Sequence, residues 1–322
     1  MIQNTVNAVS LGSTASKRIA KNGTIGYIHS IFEKTFFVIT ENKELIFIVK
    51  NGLSNGPINI MIDLEGRQNI SFMPIKKNDI VIRQNNFLHI GQSLKINLDR
   101  VEMWQPTNNI IKVDDITNIR KKIDYVKKLA MEKGSHYGLG QLIKYDNEMI
   151  LGKEIPNSSL NVIATKALPH LEEIVTGILH NNLKMVEKNA ESIIGLGLGL
   201  TPSADDTLSG IMAGLYILGS HFSMDMTQLL AINNSVISKL DETKTTLVSK
   251  EFLEHAAHGE IAENGRNIIY AILSPSNTLL KPKVEALLKM GETSGTDITL
   301  GTILGLRIGL ELFEINHSRE LK

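Results

Sequence analysis

No cysteine occurs among the 322 residues, so disulfides, thiolate nucleophiles and sulfur-ligated zinc or iron–sulfur centres are all excluded. Net charge is missing as well: 34 basic and 34 acidic side chains cancel. Without bulk charge there is no general attraction for nucleic acid or for an anionic membrane, and neither is expected as a partner. Long apolar runs are also lacking. The two most apolar windows, 208–218 and 298–313, fall short of the roughly 20 clean residues that a span requires. The second of them also carries Arg307 and Glu311. The opening "MIQNTVNAVSLGSTASKRIA" has no continuous apolar stretch of the signal-peptide kind. With 42% apolar and 21% charged residues, a soluble cytoplasmic protein is the expectation.

What is present divides into two patterns. From Thr24 to about Trp104, short runs rich in Ile, Val and Phe ("TIGYIHSIF", "TFFVIT", "ELIFIVK", "INIMID", "DIVIRQ", "FLHIG", "LKINL") alternate with turn clusters. They predict a small antiparallel β-barrel or sandwich, with "QNNF" as a tight hairpin. After "WQPTNN" the pattern becomes helical. "DDITNIRKKIDYVKKLAMEKG" starts acidic, ends basic and is followed by glycine, as a helix dipole favours. Further helices are predicted at about 160–167, 169–180, 183–194, 203–220, 225–240, 246–258, 261–273, 282–290 and 296–313. The fold class is therefore α+β, with a β-rich domain at 1–108 and a mostly α-helical domain at 109–322.

One pattern occurs twice in the helical half. "SADDTLSGIMAGL" and "SGTDITLGTILGL" share S-x-x-D-x-x-x-G-x-x-x-G-L, matching Ser203, Asp206, Gly210, Gly214 and Leu215 with Ser294, Asp297, Gly301, Gly305 and Leu306. Ser followed by a carboxylate three residues on predicts a capping-box-like helix start. Glycines four apart share a helix face and admit another backbone, at about 1 kcal/mol each in helix propensity. The two helices are thus expected to pack through their glycine faces. Their N-termini would then gather Asp205, Asp206 and Asp297 beside unpaired N–H groups. The preceding "GLGLGL" lacks the Gly-Lys-Ser/Thr of a nucleotide loop and follows a helix rather than a strand. Joined to "TPSADD", it fits an anion-binding turn at a helix start.

"GLGLGLTPSADDTLSG" resembles the signature of a bacterial (AllH-like) family that contains a subunit of oxamate carbamoyltransferase. "GETSGTDITLGTILGL", "TKTTLVSKEFLEHAAHGE", "IHSIF" and "NGP" are similar to further segments of that family, so the likeness spans about residues 24–315. Leu198 and Ala204 depart from it, standing where the family usually has proline and glycine. The resemblance implies carbamoyl transfer among oxalurate, phosphate, oxamate and carbamoyl phosphate, within allantoin and purine breakdown. It also implies partner subunits, one of them similar to acyl-CoA synthetases.

Such chemistry needs no redox cofactor. It needs held reactants and donors aimed at the oxygen that gains charge. The candidate acceptors or bases are Asp205, Asp206 and Asp297. The candidate substrate-binding groups are Gly197, Gly199, Thr201, Ser203, Ser294, Gly295 and Thr296, joined by Thr245, Thr246 and, from the β half, His29. The substrates are anions, and positive charge for them is expected from a partner subunit or Mg²⁺, since Lys244, Lys250 and Arg266 read as surface charges. His255 and His258 show no carboxylate partner in sequence, and no metal site is predicted. Two other readings stand beside this one. The chain is a non-catalytic binding or docking subunit, met at an exposed strand edge of the β half. Or "DDT" and "GTD" resemble the magnesium motifs of ADP-ribosylglycohydrolases, which makes it a Mg-dependent hydrolase.

Overall fold

The computed structural model describes residues 4–64, 69–106, 112–156, 159–275 and 279–320. The chain divides into two compact units, Met1–Asn108 and Asn109–Lys322. The residues next to that division lie outside the described ones.

The first unit is a β-barrel. Its strands are β1 (Asn4–Gly12), β2 (Gly23–Ile31), β3 (Thr35–Thr40), β4 (Leu45–Lys50), β5 (Asn59–Asp63), β6 (Ile80–Gln84), β7 (Phe87–Ile90), β8 (Leu94–Asn97) and β9 (Glu102–Trp104). A short helix, α1 (Ser13–Arg18), follows β1. Strands run in the order β5-β4-β3-β2-β6-β7-β8-β1, and antiparallel pairing of β1 with β5 closes the ring. β9 lies beside β1 where β8 has ended. Most pairs are antiparallel, as expected, but β4–β5, β1–β8 and β1–β9 are parallel.

Alternation decides what faces inward. Phe36, Val38, Ile46, Ile48, Ile60, Ile62, Leu88, Ile90, Leu94 and Ile96 fill one buried cluster. Between them, the paired Phe37 and Phe47 stack with ring centroids 4.2 Å apart. The hairpin at "QNNF" joins β6 to β7 through Asn85, whose φ of 54° suits a tight turn. Seven strands match the runs seen in the sequence. β1, α1 and β9 were not expected there, because "NTVNAVSLG" carries asparagines and only its three neighbouring strands make it a strand.

The second unit holds α2 (Ile116–Lys133), α3 (Asp146–Leu151), α4 (Val162–Leu179), α5 (Leu183–Ile193), α6 (Ser203–His221), α7 (Met226–Ile237), α8 (Leu247–Ala256), α9 (Glu263–Leu273), α10 (Leu280–Leu288) and α11 (Ser294–Glu320). Asp115, Asn161, Asn182, Asp225 and Thr246 cap helix starts by accepting backbone N–H bonds. The break expected before Pro169 does not occur. α4 runs through it, with Ala167, Leu168 and Leu171 on either side of the proline buried. α6 is buried almost all round from Ser203 to Leu215, which makes it a central helix of the unit. None of the described helices is long and apolar enough to cross a membrane.

Arg307 of α11 does not pair with Glu311, as i, i+4 spacing predicts. Its Nε donates to Asp146 (2.5 Å) and its Nη2 to Asp124 (2.6 Å), while Glu311 is taken by Arg120 at 3.0 Å. Lys127 shares Asp146, so the carboxylate is fully buried between two cations. Burial makes the non-local partners decisive, because an unpaired charge there is strongly destabilising.

Candidate active site between two helix starts

The repeated pattern does bring α6 and α11 together, and they run parallel. A Cβ on Gly210 would fall 2.4 Å from the Ile298 carbonyl oxygen, and one on Gly301 would fall 2.0 Å from that of Thr207. Gly305 faces Ile211 in the same way, at 2.3 Å. Two backbones therefore touch over more than a helical turn, and both N-termini lie at one end.

The serines are not caps. α6 begins after Pro202 with no side-chain cap bond, and Ser203 is its first helical residue. Instead, the hydroxyls are exchanged between the motifs. Ser203 of α6, with Thr293, stands beside Asp297 of α11; Ser294 of α11, with Thr201, stands beside Asp206 of α6. Thr201 Oγ1 lies 3.0 Å from Ser294 Oγ, and Ser203 Oγ 3.4 Å from Thr293 Oγ1. The main chain supplies one further donor, the Leu139 N–H, which bonds Asp297 Oδ1 at 2.8 Å.

Both of these aspartates are buried, and each keeps an Oδ2 without a hydrogen bond of regular geometry. The neighbouring hydroxyls are near enough to lower the carboxyl pKa, yet burial outweighs them. Burial lifts Asp206 well above the usual carboxylate range, and the charge of Asp297 adds to the rise. Asp297 is pushed up to about 6, chiefly by burial, against the Leu139 N–H and the Ser203 and Thr293 hydroxyls.

Asp205 does something different. It accepts from the Gly195 N–H (2.7 Å), from the Ser249 hydroxyl (2.6 Å) and from the Thr245 hydroxyl. Burial raises its pKa, with these three donors opposing. Asp205 thus ties the glycine turn to the start of α8. Thr246 adds a second tie, donating to the Leu200 carbonyl at 2.5 Å. In that turn Gly195, Gly197 and Gly199 all have positive φ (81°, 137° and 92°). A Cβ on Gly195 or Gly197 would also strike backbone, at 1.9 Å from the Lys244 oxygen and 2.3 Å from the Ser203 nitrogen.

A cavity of about 500 Å³ opens above the helix starts. Of the candidate substrate-binding groups, Gly199, Thr201, Ser203 and Ser294 line it, and Thr293 joins them. The three aspartates are not among its lining residues; Asp206 and Asp297 sit next to hydroxyls that are. Gly197, Thr245, Thr246, Gly295 and Thr296 are not lining residues either. Gly295 packs on the Leu287 carbonyl, and the Thr296 hydroxyl accepts from the Ser135 N–H at 2.9 Å. His29 belongs to β2 of the barrel unit, where its Nδ1 lies 2.8 Å from the Ser30 hydroxyl.

Tyr137, Gly138 and Asn161 complete the wall and were missed in the sequence. Gly138 has a φ of 62°, and a Cβ there would fall 2.6 Å from Ser203 Oγ and 2.7 Å from Asp297 Oδ2. Asn161 donates to the Gly138 carbonyl at 2.9 Å while capping α4 through Ala164. The available signal was an asparagine just before an apolar helical run.

Lys244 is held by Glu191 at 2.6 Å, and Arg266 donates to the Gly259 carbonyl and the Tyr270 hydroxyl. Among the described residues that line the cavity, none is Lys, Arg or His. His255, expected to lack a carboxylate partner, has two: Glu260 at 2.7 Å and Glu251 at 3.5 Å. Burial lowers its pKa, but these carboxylates outweigh that and raise it. Among the described residues no three His, Asp or Glu side chains are grouped to hold a metal ion.

Residues 193–306 match the family model for the oxamate carbamoyltransferase subunit AllH, and residues 7–103 match the model for the AllH family N-terminal domain. The chain belongs to the AllH family. The AllH segment contains the glycine turn, both motif helix starts and the Asp205 ties. It begins after Tyr137, Gly138 and Asn161, so the AllH match does not cover that wall of the cavity. No solved structure matches the chain.

Proposed function

We propose that this chain is the subunit that binds the carbamoyl-bearing substrate of an oxamate carbamoyltransferase, in the cavity above the α6 and α11 starts. The observation that carries the reading is the row of hydroxyls from Thr201, Ser203, Thr293 and Ser294, backed by two buried carboxylates with unpartnered oxygens. In the phosphate-consuming direction, the ureido N–C bond of oxalurate breaks and a phosphate O–C bond forms. A proton passes to the departing amide nitrogen, giving oxamate and carbamoyl phosphate. Asp297, ionised above about pH 6, suits the base that takes the phosphate proton through Ser203. Asp206, whose pKa burial lifts well above the usual carboxylate range, suits the donor behind Ser294 and Thr201. Two positive helix ends favour the anionic substrate. Other subunits, one similar to acyl-CoA synthetases, complete the enzyme in this cytoplasmic reading, and no redox cofactor enters it.

A purely binding role for this chain has one observation behind it: no cation lines the cavity among the described residues. The magnesium-hydrolase reading is weaker, since both oxygens of Asp205 are already used by Gly195, Thr245 and Ser249. A thermal-shift series with carbamoyl phosphate, oxamate, oxalurate, phosphate and Mg²⁺ tests the ligand class, because a bound ligand stabilises by mass action. Asp297→Asn and Asp206→Asn in the reconstituted complex test the chemistry. Full activity in both variants overturns the catalytic role and leaves binding alone.

A further inference from the structure

The rim of the cavity is apolar and wet. Tyr137 is 72% exposed, Val162 70% and Leu198 84%, and all three line the same opening together with Leu200. Leu198 stands between two glycines of positive φ, which hold it out of the buried turn. Exposed apolar side chains clustered together and rimmed by polar ones mark interaction sites, and Tyr137 is of the type that anchors interfaces.

The cavity also lacks what its ligand requires. Among the described residues its lining includes Glu292 and no cation, whereas the proposed substrates carry phosphate or carboxylate groups. The volume of about 500 Å³ is of the size that holds a drug-like ligand. A molecule as small as carbamoyl phosphate leaves much of that space open.

We infer that the ring of Tyr137, Val162, Leu198 and Leu200 is the docking face for another subunit of the carbamoyltransferase. That subunit covers the apolar ring and inserts a guanidinium or ammonium group into the cavity, opposite the Thr201, Ser203 and Ser294 hydroxyls. The inference rests on the functional reading above and adds where the partner sits and which charge it brings. The active site is then shared between subunits. Neither chain holds the anion firmly alone.

The test uses the full chain and the complex reconstituted with its partner subunits. Leu198→Asp and Val162→Asp are compared with wild type by sedimentation and thermal unfolding. The expected result is association at least tenfold weaker, with the melting temperature of the chain alone unchanged. Unchanged association overturns the docking face. A lower melting temperature of the lone chain in both variants also overturns it, because the ring is then covered by this chain itself. Calorimetry with carbamoyl phosphate reads the second half of the inference. Binding at least tenfold tighter in the complex than in the lone chain, and weakening with salt, is expected. Equal affinity in the two overturns the inserted cation. If neither preparation binds carbamoyl phosphate or oxamate while the aspartate variants still block association, the substrate reading fails and the docking face stands.

Discussion

The Ser203 hydroxyl attends Asp297, the carboxylate of the other motif, rather than Asp206 on its own helix. The reciprocal relation holds for Ser294 and Asp206. Removing one serine therefore perturbs the partner motif. Ser203→Ala is expected to raise the pKa of Asp297, and Ser294→Ala that of Asp206. Infrared titration of the carboxyl bands, with each aspartate identified by its Asn variant, reads both shifts. A change at the aspartate of the same helix instead would contradict the exchange.

Asp297 gives the fold a definite pH dependence. Its pKa is raised from 3.8 to about 6 by folding, so the folded state binds the proton more tightly than the unfolded chain. Its favourable contribution is complete below about pH 4 and is lost as pH rises through about 6. The loss is on the order of 3 kcal/mol at about 1.4 kcal/mol per pKa unit. Denaturant unfolding of wild type and Asp297→Asn from pH 4 to 8 checks this. The difference between them should move in favour of the variant as pH rises.

Gly210→Ala and Gly301→Ala each drive a methyl group into backbone of the opposite helix, and overpacking of this kind costs about 1–3 kcal/mol or more. Gly309→Ala is the contrast, because its new Cβ would meet side chains and not backbone, Leu218 at 2.9 Å and Leu215 at 3.5 Å. Chemical denaturation should rank the first two well below the third.

Asp205→Ala strands three donors, the Gly195 N–H and the Thr245 and Ser249 hydroxyls. A loss of about 3 kcal/mol is expected, since each unsatisfied buried partner costs about 1–3 kcal/mol and some relax. Hydrogen exchange should quicken in the 195–202 turn before it does in α6. Equal protection in the turn would mean that Asp205 does not secure it.

Asn161 has two tasks that one pair of variants separates. Asn161→Asp keeps the acceptor that caps α4 but loses the amide that holds Gly138. Asn161→Ala loses both. Unfolding free energy should fall by a cap's worth, about 1 kcal/mol, in the alanine variant alone. Carbamoyl phosphate binding by the complex should weaken in both. Recovery of binding in the aspartate variant would show that the Gly138 contact is dispensable.

The features readable in sequence were those encoded locally. Seven barrel strands follow from the runs of β-branched and aromatic residues, and the α6–α11 contact follows from the spacing of Gly210, Gly214, Gly301 and Gly305. Features that depend on distant partners were not readable. Pro169 suggests a helix break until its buried neighbours are seen to hold α4 together. Arg307 has an acid one turn away, yet Asp124 and Asp146 from other helices take it. At the site, Thr201, Ser203 and Ser294 were identified from their motifs. Gly138 and Asn161 were not, because only folding brings Gly138 against Asp297 and Asn161 against Gly138.

Pairing of β1 with β5 has a consequence for how this chain assembles. A closed ring of strands has almost no free backbone donors and acceptors to extend, and β9 adds only three residues beyond it. Among the described residues, only the short β9 leaves a strand edge at which another strand could add. Elsewhere, whatever meets this unit must recognise side chains and loops.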